Sequence, residues 1–294
     1  HVMDPTVSAE LDAWGRWYVE TTGVDGFRLD AVKHIGAQFF RRWLRDLRRT
    51  TGRALPAVGE YWSEDLAELR GYLGDEPVMS LFDVPLHFHL HAAATSDGNV
   101  DLSRLFEGTL VDADPAHAVT FVENHDTQPR QALASTILPW FKPSAYALIL
   151  LREAGIPCVF WGDLFGTPET GDLPAVTELP LLMAARRLLA HGPQHDAFDA
   201  PDVVGFAREG DDAHPASGLA VVLSDRHAAV KRLHVGARHA GEQWVCVLGG
   251  HGPVVVDADG GAELEVSDGG LSVYAPAAAE SELGRSLDRL VRQR

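Results

Sequence analysis

Gly26-Phe27-Arg28-Leu29-Asp30 sets an arginine and an aspartate two residues apart. On a strand such residues share a face, so Arg28 and Asp30 point one way while Phe27 and Leu29 pack the other. A guanidinium beside a carboxylate keeps it ionised, and an ionised, positioned aspartate suits a covalent nucleophile or a stabiliser of positive charge. A structural ion pair at a strand end accounts for the same spacing equally well. About one βα unit further on, Val58-Gly59-Glu60-Tyr61-Trp62 places Glu60 among aromatics. Apolar surroundings raise a carboxyl pKa, as a general acid needs; taken alone, an exposed glutamate at a strand-to-helix turn is the simpler account. In Phe121-Val122-Glu123-Asn124-His125-Asp126-Thr127-Gln128, His125 and Asp126 either clamp sugar hydroxyls and balance positive charge or simply cap a loop. One protonated and one ionised carboxyl, about 5–5.5 Å apart, perform retaining glycoside hydrolysis. Asp30 would attack the anomeric carbon, while Glu60 would protonate the leaving oxygen and later activate water. Trp62, Tyr61 and His34 would supply stacking and hydroxyl contacts.

These residues need a scaffold that brings strand ends together. Apolar residues recur at helical steps from Val7 to Thr22, and a β-rich run follows from Val24 to Asp30. A helix begins at Phe39, a strand covers Leu55 to Glu60, a helix Leu66 to Leu73 and a strand Val78 to Asp83. Val119 to Glu123 and Ile156 to Trp161 read as further strands, with helices over Ala145 to Arg152 and Ala175 to Leu189. Strands alternating with helices imply parallel βαβ units. Each strand ends in polar groups, including Asp83 and Asp163, and polar strand C-termini mark the working face of a (β/α)8 barrel. Five strands are visible where closure needs eight. Beyond Asp199, short β-runs separated by Gly and Asp predict an antiparallel β-domain. The predicted organisation is a barrel part over 1–198, the β-domain over 199–278 and a tail, as a short exposed helix, over 279–294.

His87, His89 and His91 alternate and could line a strand as metal ligands, but Pro85 to Ala94 lacks β-branched residues and reads as a loop or short helix. Phe160-Trp161-Gly162-Asp163 either closes a pocket or packs as an aromatic strand end. No phosphate loop, dinucleotide fingerprint or serine nucleophile elbow occurs. Across 294 residues, 25 Lys and Arg face 42 Asp and Glu, a formal charge of −17 that disfavours nucleic acid and anionic membrane as partners. No apolar run approaches the roughly 18–20 residues that span a bilayer. Two cysteines exclude a disulfide framework and lean toward a reducing cytoplasm over secretion.

The three motifs, in this order, resemble those of the alpha-amylase family of glycoside hydrolases, most closely the bacterial liquefying and cytoplasmic type. The resemblance extends through Leu81-Phe82-Asp83-Val84-Pro85-Leu86-His87 and Trp140-Phe141-Lys142-Pro143, and into the β-domain to about Pro276. It implies an α/β fold, a (β/α)8 TIM barrel represented here by about strands 4–8, followed by a small antiparallel β-sandwich. It implies Asp30 as nucleophile, Glu60 as acid/base, and Asp126 as the third carboxylate on ring hydroxyls. Arg28 matches the arginine that orients the nucleophile, and His125 a hydroxyl donor to the transition state. Lys33, His34 and Trp62 join the substrate-binding set, and the His34 carbonyl matches a calcium ligand, most others being expected upstream of His1.

The implied activity is endo-hydrolysis of alpha-1,4-glucosidic bonds in starch- or glycogen-type glucans by a retaining double displacement, in a protein monomeric when complete. A related alpha-glucan transglycosylase, an exo-acting glucosidase and a non-catalytic glucan-binding remnant are the alternatives. Met3 stands in Met3-Asp4-Pro5 where relatives carry a cation-binding Asp; Glu123 and Arg130 replace the usual Asp and Gly. The first three strands and an inserted domain would precede His1. The 294 residues alone are therefore expected to be poorly stable and weakly active or inactive.

Overall fold

The computed structural model describes residues 1–167 and 173–292. It resolves into two compact units, one of His1–Leu86 with Gly108–Thr120, the other of His87–Glu107 with Phe121–Arg294.

The first unit is built from βα repeats. Helix α1 (Pro5–Thr22) starts where the Asp4 carboxylate accepts the Thr6 and Val7 N–H groups and ends at Gly23 in the left-handed region. β1 (Phe27–Leu29) follows, then α2 (Ala37–Thr51), which buries Phe39, Phe40, Trp43, Leu44 and Leu47 along one stripe and packs on α1. β2 (Ala57–Gly59), α3 (Leu66–Leu73) and β3 (Ser80–Phe82) complete two more repeats. After α4 (Val84–Thr95), which runs on into the second unit, α5 (Leu110–Ala113) leads to β4 (Ala118–Phe121). The strands pair in the order β1-β2-β3-β4, all parallel. Asp83 follows β3, but its carboxylate is fully buried and accepts the N–H groups of Leu86, Leu110 and Val111. It closes two helix starts rather than facing the strand-end opening as its position suggested.

The second unit contains an α/β part and a β-domain. α6 (Lys142–Leu151) is almost wholly buried, β5 (Ile156–Cys158) follows, and the chain turns at Trp161 into α7 (Trp161–Phe165). The strand expected to Trp161 therefore stops three residues early, and Trp161 is 70% exposed. α8 (Leu179–Leu188) precedes an antiparallel sheet formed by β6 (Gln194–Ala197), β7 (Val203–Arg208), β8 (Leu219–Ser224), β10 (Gln243–Leu248), β11 (Val254–Val255) and β13 (Leu271–Pro276). Its order is β11-β10-β13-β8-β7-β6, and a two-stranded sheet of β9 (Ala229–His234) and β12 (Gly261–Val266) packs against it. Trp244, Tyr274, Val222, Ala207, Leu233, Leu264 and Val266 fill the space between the sheets. The patterning predicts an antiparallel β-domain here, and the two packed sheets make it the sandwich that the resemblance implies. α9 (Glu280–Arg292) is a helix as expected, yet it buries Leu283 and Ser286 and packs on α8; the last two residues of that segment lie outside the described residues. No described helix is long and apolar enough to cross a membrane.

The alternating histidines lie on α4, where each ring meets a separate carbonyl: His87 that of Val122, His89 that of Leu105, His91 that of Thr136. His87 is fully buried and stacks on Phe121 at 4.9 Å. Its Nδ1–H donates to the Val122 carbonyl at 3.0 Å, and Nε2 lies 2.7 Å from the Ser135 hydroxyl. Burial lowers its pKa from 6.5 to about 4. The folded state thus favours the neutral ring, and that stability is present above pH 6.5 and lost as pH falls through 4. The difference amounts to on the order of 3 kcal/mol. Denaturant melts at pH 7.5 and pH 4 are expected to show a smaller loss for His87→Gln than for the parent, by about this amount; equal losses contradict the assignment.

Candidate active site

The register of β1 on β2 builds the centre of the site. Leu29 pairs with Gly59, so Asp30 and Glu60 leave adjacent parallel strands at the same level. The Glu60 N–H donates to the Leu29 carbonyl and the Val32 N–H to the Glu60 carbonyl, both at 2.9 Å, which extends the pairing past the strands. Gly59 is required here: a Cβ would lie 2.9 Å from the Leu81 Cδ2 and from the Met79 sulfur. Arg28, on β1, reaches both carboxylates. One terminal nitrogen binds Asp30, and the other stands 2.9 Å from the Glu60 Oε2. That same oxygen accepts the Ala31 N–H at 3.1 Å. Ala31 adopts φ 45°, a left-handed conformation that costs a non-glycine residue about 1–2 kcal/mol. This bend aims its N–H at Glu60.

The two carboxylates differ in access. The Asp30 side chain is 74% exposed, whereas that of Glu60 is 8% exposed. The sequence pairs Arg28 with Asp30 and surrounds Glu60 with aromatics; in the structure Arg28 serves both. Tyr61 turns to Tyr72, with ring centroids 5.0 Å apart. The Tyr72 hydroxyl lies 3.0 Å from both the Val32 and Ile35 carbonyls and so anchors the turn carrying Lys33 and His34. Burial raises the Tyr72 hydroxyl to about 12. Lys33 donates to the Trp62 carbonyl at 2.7 Å, tying that turn to the segment after β2. His34 is exposed.

His125 and Asp126 belong to the second unit, on a loop after β4. The Asn124 side-chain oxygen accepts the Asp126 and Thr127 N–H groups at 2.8 and 3.0 Å, and the Thr127 hydroxyl accepts the Asn124 N–H. The His125 Nε2 lies 3.2 Å from the Asp126 Oδ2, and both side chains remain accessible. Beneath this loop is a buried charged group that includes Asp163, which the sequence places among the polar strand ends of the working face but which lies fully buried within α7. Thr127 donates to the Glu123 carboxylate, the Lys142 ammonium lies 3.2 Å from the other Glu123 oxygen and binds Asp163, and the Tyr146 hydroxyl donates to Asp163 at 2.6 Å. Lys142 is 2% exposed and both carboxylates are fully buried. Burial pushes the Glu123 carboxyl up, opposed by Lys142, and pushes the Tyr146 hydroxyl well above 10. The one clue in the sequence is a lone lysine opening an otherwise apolar helix.

No family model matches the chain. The sequence is 46% identical over 275 residues to an alpha-amylase of Bacillus licheniformis, covering 92% of this chain and 54% of that protein. It is 42% identical over 280 residues to the cytoplasmic alpha-amylase of Escherichia coli K12, covering 91% and 56%. The chain belongs to the alpha-amylase family. It spans about half the length of the curated relatives it matches. A glucan 1,4-alpha-maltohexaosidase of a Bacillus species is 45% identical over 273 residues, covering 92% of this chain and 52% of that protein. The solved structure of an Anoxybacillus alpha-amylase matches with a TM-score of 0.71 at 21% identity, over 94% of this chain and 64% of that one. One from Malbranchea cinnamomea matches at 0.70 and 20%, over 96% and 62%. The fold is accordingly part of a TIM barrel followed by a β-domain.

The family resemblance implies calcium, and the described side chains that gather as metal donors are not a calcium-type set. Two groups gather three donors each, His191 with Asp211 and His214, and His195 with Glu209 and His234. Each offers two imidazole nitrogens and a carboxylate, whereas calcium takes six to eight oxygen ligands. Neither includes His34.

Removing the buried lysine leaves two carboxylates without their cation. Lys142→Met is expected to cost about 3–5 kcal/mol in denaturant unfolding, and adding Asp163→Asn to recover part of the loss. A loss below about 1 kcal/mol contradicts the buried-charge account.

Proposed function

We propose that the full protein is an endo-acting alpha-amylase that cleaves alpha-1,4-glucosidic bonds of starch- and glycogen-type glucans with retention of configuration. The observation that carries the reading is the placement of two carboxylates of unlike exposure, Asp30 open and Glu60 buried, at the ends of adjacent parallel strands. Asp30, accessible and oriented, attacks the anomeric carbon and forms a glycosyl ester as the glycosidic bond breaks. Glu60 gives its proton to the departing oxygen; its carboxylate then takes a proton from the water that cleaves the ester. Arg28 fixes both groups. Asp126 and His125 bind ring hydroxyls, Lys33 and His34 act toward the leaving group, and Trp62 offers a stacking face. The relatives named alpha-amylase at 42–46% identity support this reading. So does the fold shared with AmyP in complex with maltose, at a TM-score of 0.64 and 17% identity.

The chain would offer calcium the main-chain carbonyl of His34, and no catalytic step depends on it. Division into a barrel part over 1–198, a β-domain over 199–278 and a tail, together with a monomeric state, belongs to the same proposal. Unpaired Cys158 and Cys246 favour the cytoplasm. A glucanase of defined product length is the second reading, favoured by the maltohexaosidase relative.

Expressed from its full reading frame, the protein is expected to release reducing ends from soluble starch, with viscosity falling early as internal bonds break. Asp30→Asn is expected to lower turnover by about 10⁴-fold or more. Undiminished activity in that variant overturns the nucleophile assignment. Glucan binding without reducing-end release supports the glucan-binding remnant instead, and one dominant short product from the outset supports the second reading.

A further inference from the structure

The β-domain carries a side-chain group outside the proposed catalytic machinery. His195 lies on β6, opposite Ala207 of β7. Glu209 follows β7 directly, two residues beyond Ala207, and therefore on the face that His195 shares. His234 ends β9, a strand of the other sheet. The His195 Nε2 lies 2.5 Å from the Glu209 Oε1, and the His234 Nε2 lies 3.9 Å from the same oxygen. The two rings stand edge to face at 86°, with centroids 5.1 Å apart. A donor atom from each of the three residues falls within 4.8 Å of the others.

A hydrogen bond from one histidine explains one ring; it does not explain why two imidazoles converge by Nε2 on one carboxylate oxygen. Zinc bound at about 2.0–2.2 Å in a tetrahedron holds its ligands about 3.3 Å apart. The separations of 2.5 and 3.9 Å bracket that value, so small rotations of half-exposed side chains suffice. Two nitrogens and one carboxylate select a borderline transition ion and disfavour calcium or magnesium. The nearby His191, Asp211 and His214 have the same composition, but Asp211 and His214 sit on a turn, and the His191 Nε2 is engaged with the Arg187 carbonyl at 3.1 Å. The strand-borne group is the better ordered framework for a metal.

We propose that His195, Glu209 and His234 form a zinc site with three protein ligands and an open fourth position. Zinc there joins the edge of the six-stranded sheet to the two-stranded sheet, and it stabilises the β-domain by binding only the folded form.

The test is zinc titration, by calorimetry, of the EDTA-treated protein expressed from its full reading frame, with Co2+ as a spectroscopic substitute and Ca2+ as control. Zinc is expected to bind at this site with one ion per chain, Co2+ to give the visible bands of a four-coordinate ion, and Ca2+ to leave both unchanged. At a hundredfold excess of zinc over its dissociation constant the melting temperature is expected to rise by about 5 °C. His195→Gln and His234→Gln are each expected to weaken this binding about tenfold or more, with unchanged circular dichroism; Glu209→Gln checks the carboxylate with little change of shape. His191→Gln is expected to leave it intact. No zinc binding, or zinc binding that survives both His195→Gln and His234→Gln, overturns the proposal.

Discussion

A single arginine between two carboxylates sets the terms for the first unit. Arg28 binds Asp30 through one nitrogen and Glu60 through the other, and this is possible only because β1 and β2 are parallel with Leu29 opposite Gly59. A one-residue slip would turn one of the acids to the other face of its strand. The glycine at position 59 keeps the strand close to Leu81 and Met79, and the left-handed Ala31 turns a backbone N–H onto Glu60. Backbone strain and close packing thus serve one purpose, which is to hold two acids of unlike exposure against one cation.

The second unit solves a different electrostatic problem. Lys142 lies in a helix otherwise suited to a dry interior, and it is accommodated because Glu123 and Asp163 meet it there. Burying charges is costly unless each is paired and hydrogen-bonded, and Thr127 and Tyr146 add the hydrogen bonds. Because Thr127 also binds the Asn124 backbone, the buried charges are linked to the loop that presents His125 and Asp126. Residues far from the surface therefore bear on accessible ones.

Much of this was legible in the sequence, for local reasons. The alternation of Arg28 and Asp30, the glycines that end helices, and the polar residues at strand ends are patterns within a few positions. Boundaries were less legible, since the expected strand Val24 to Asp30 shortens to Phe27–Leu29 where pairing stops. In α1 the periodicity marks a helix but not its buried face: Val19 is buried while Trp14 is 48% exposed. The strands β6, β9 and β12 carry no continuous apolar run because they are half solvated. Lys231 and Arg232 or Glu263 and Glu265 replace the apolar run that signals a strand. The bridging role of Arg28 and the burial of Lys142 depend on partners 32 and 21 residues away, beyond any local pattern.

The catalytic proposal rests on Asp30 as the group that bonds to the sugar. A fluorinated alpha-maltosyl fluoride, which slows hydrolysis of a glycosyl ester, tests it most directly on the protein expressed from its full reading frame. After proteolysis, mass mapping is predicted to find the sugar on the peptide that contains Asp30, and on none in Asp30→Asn. Labelling of Glu60 or Asp126 instead, or turnover of the reagent with no labelled peptide at all, would contradict the account.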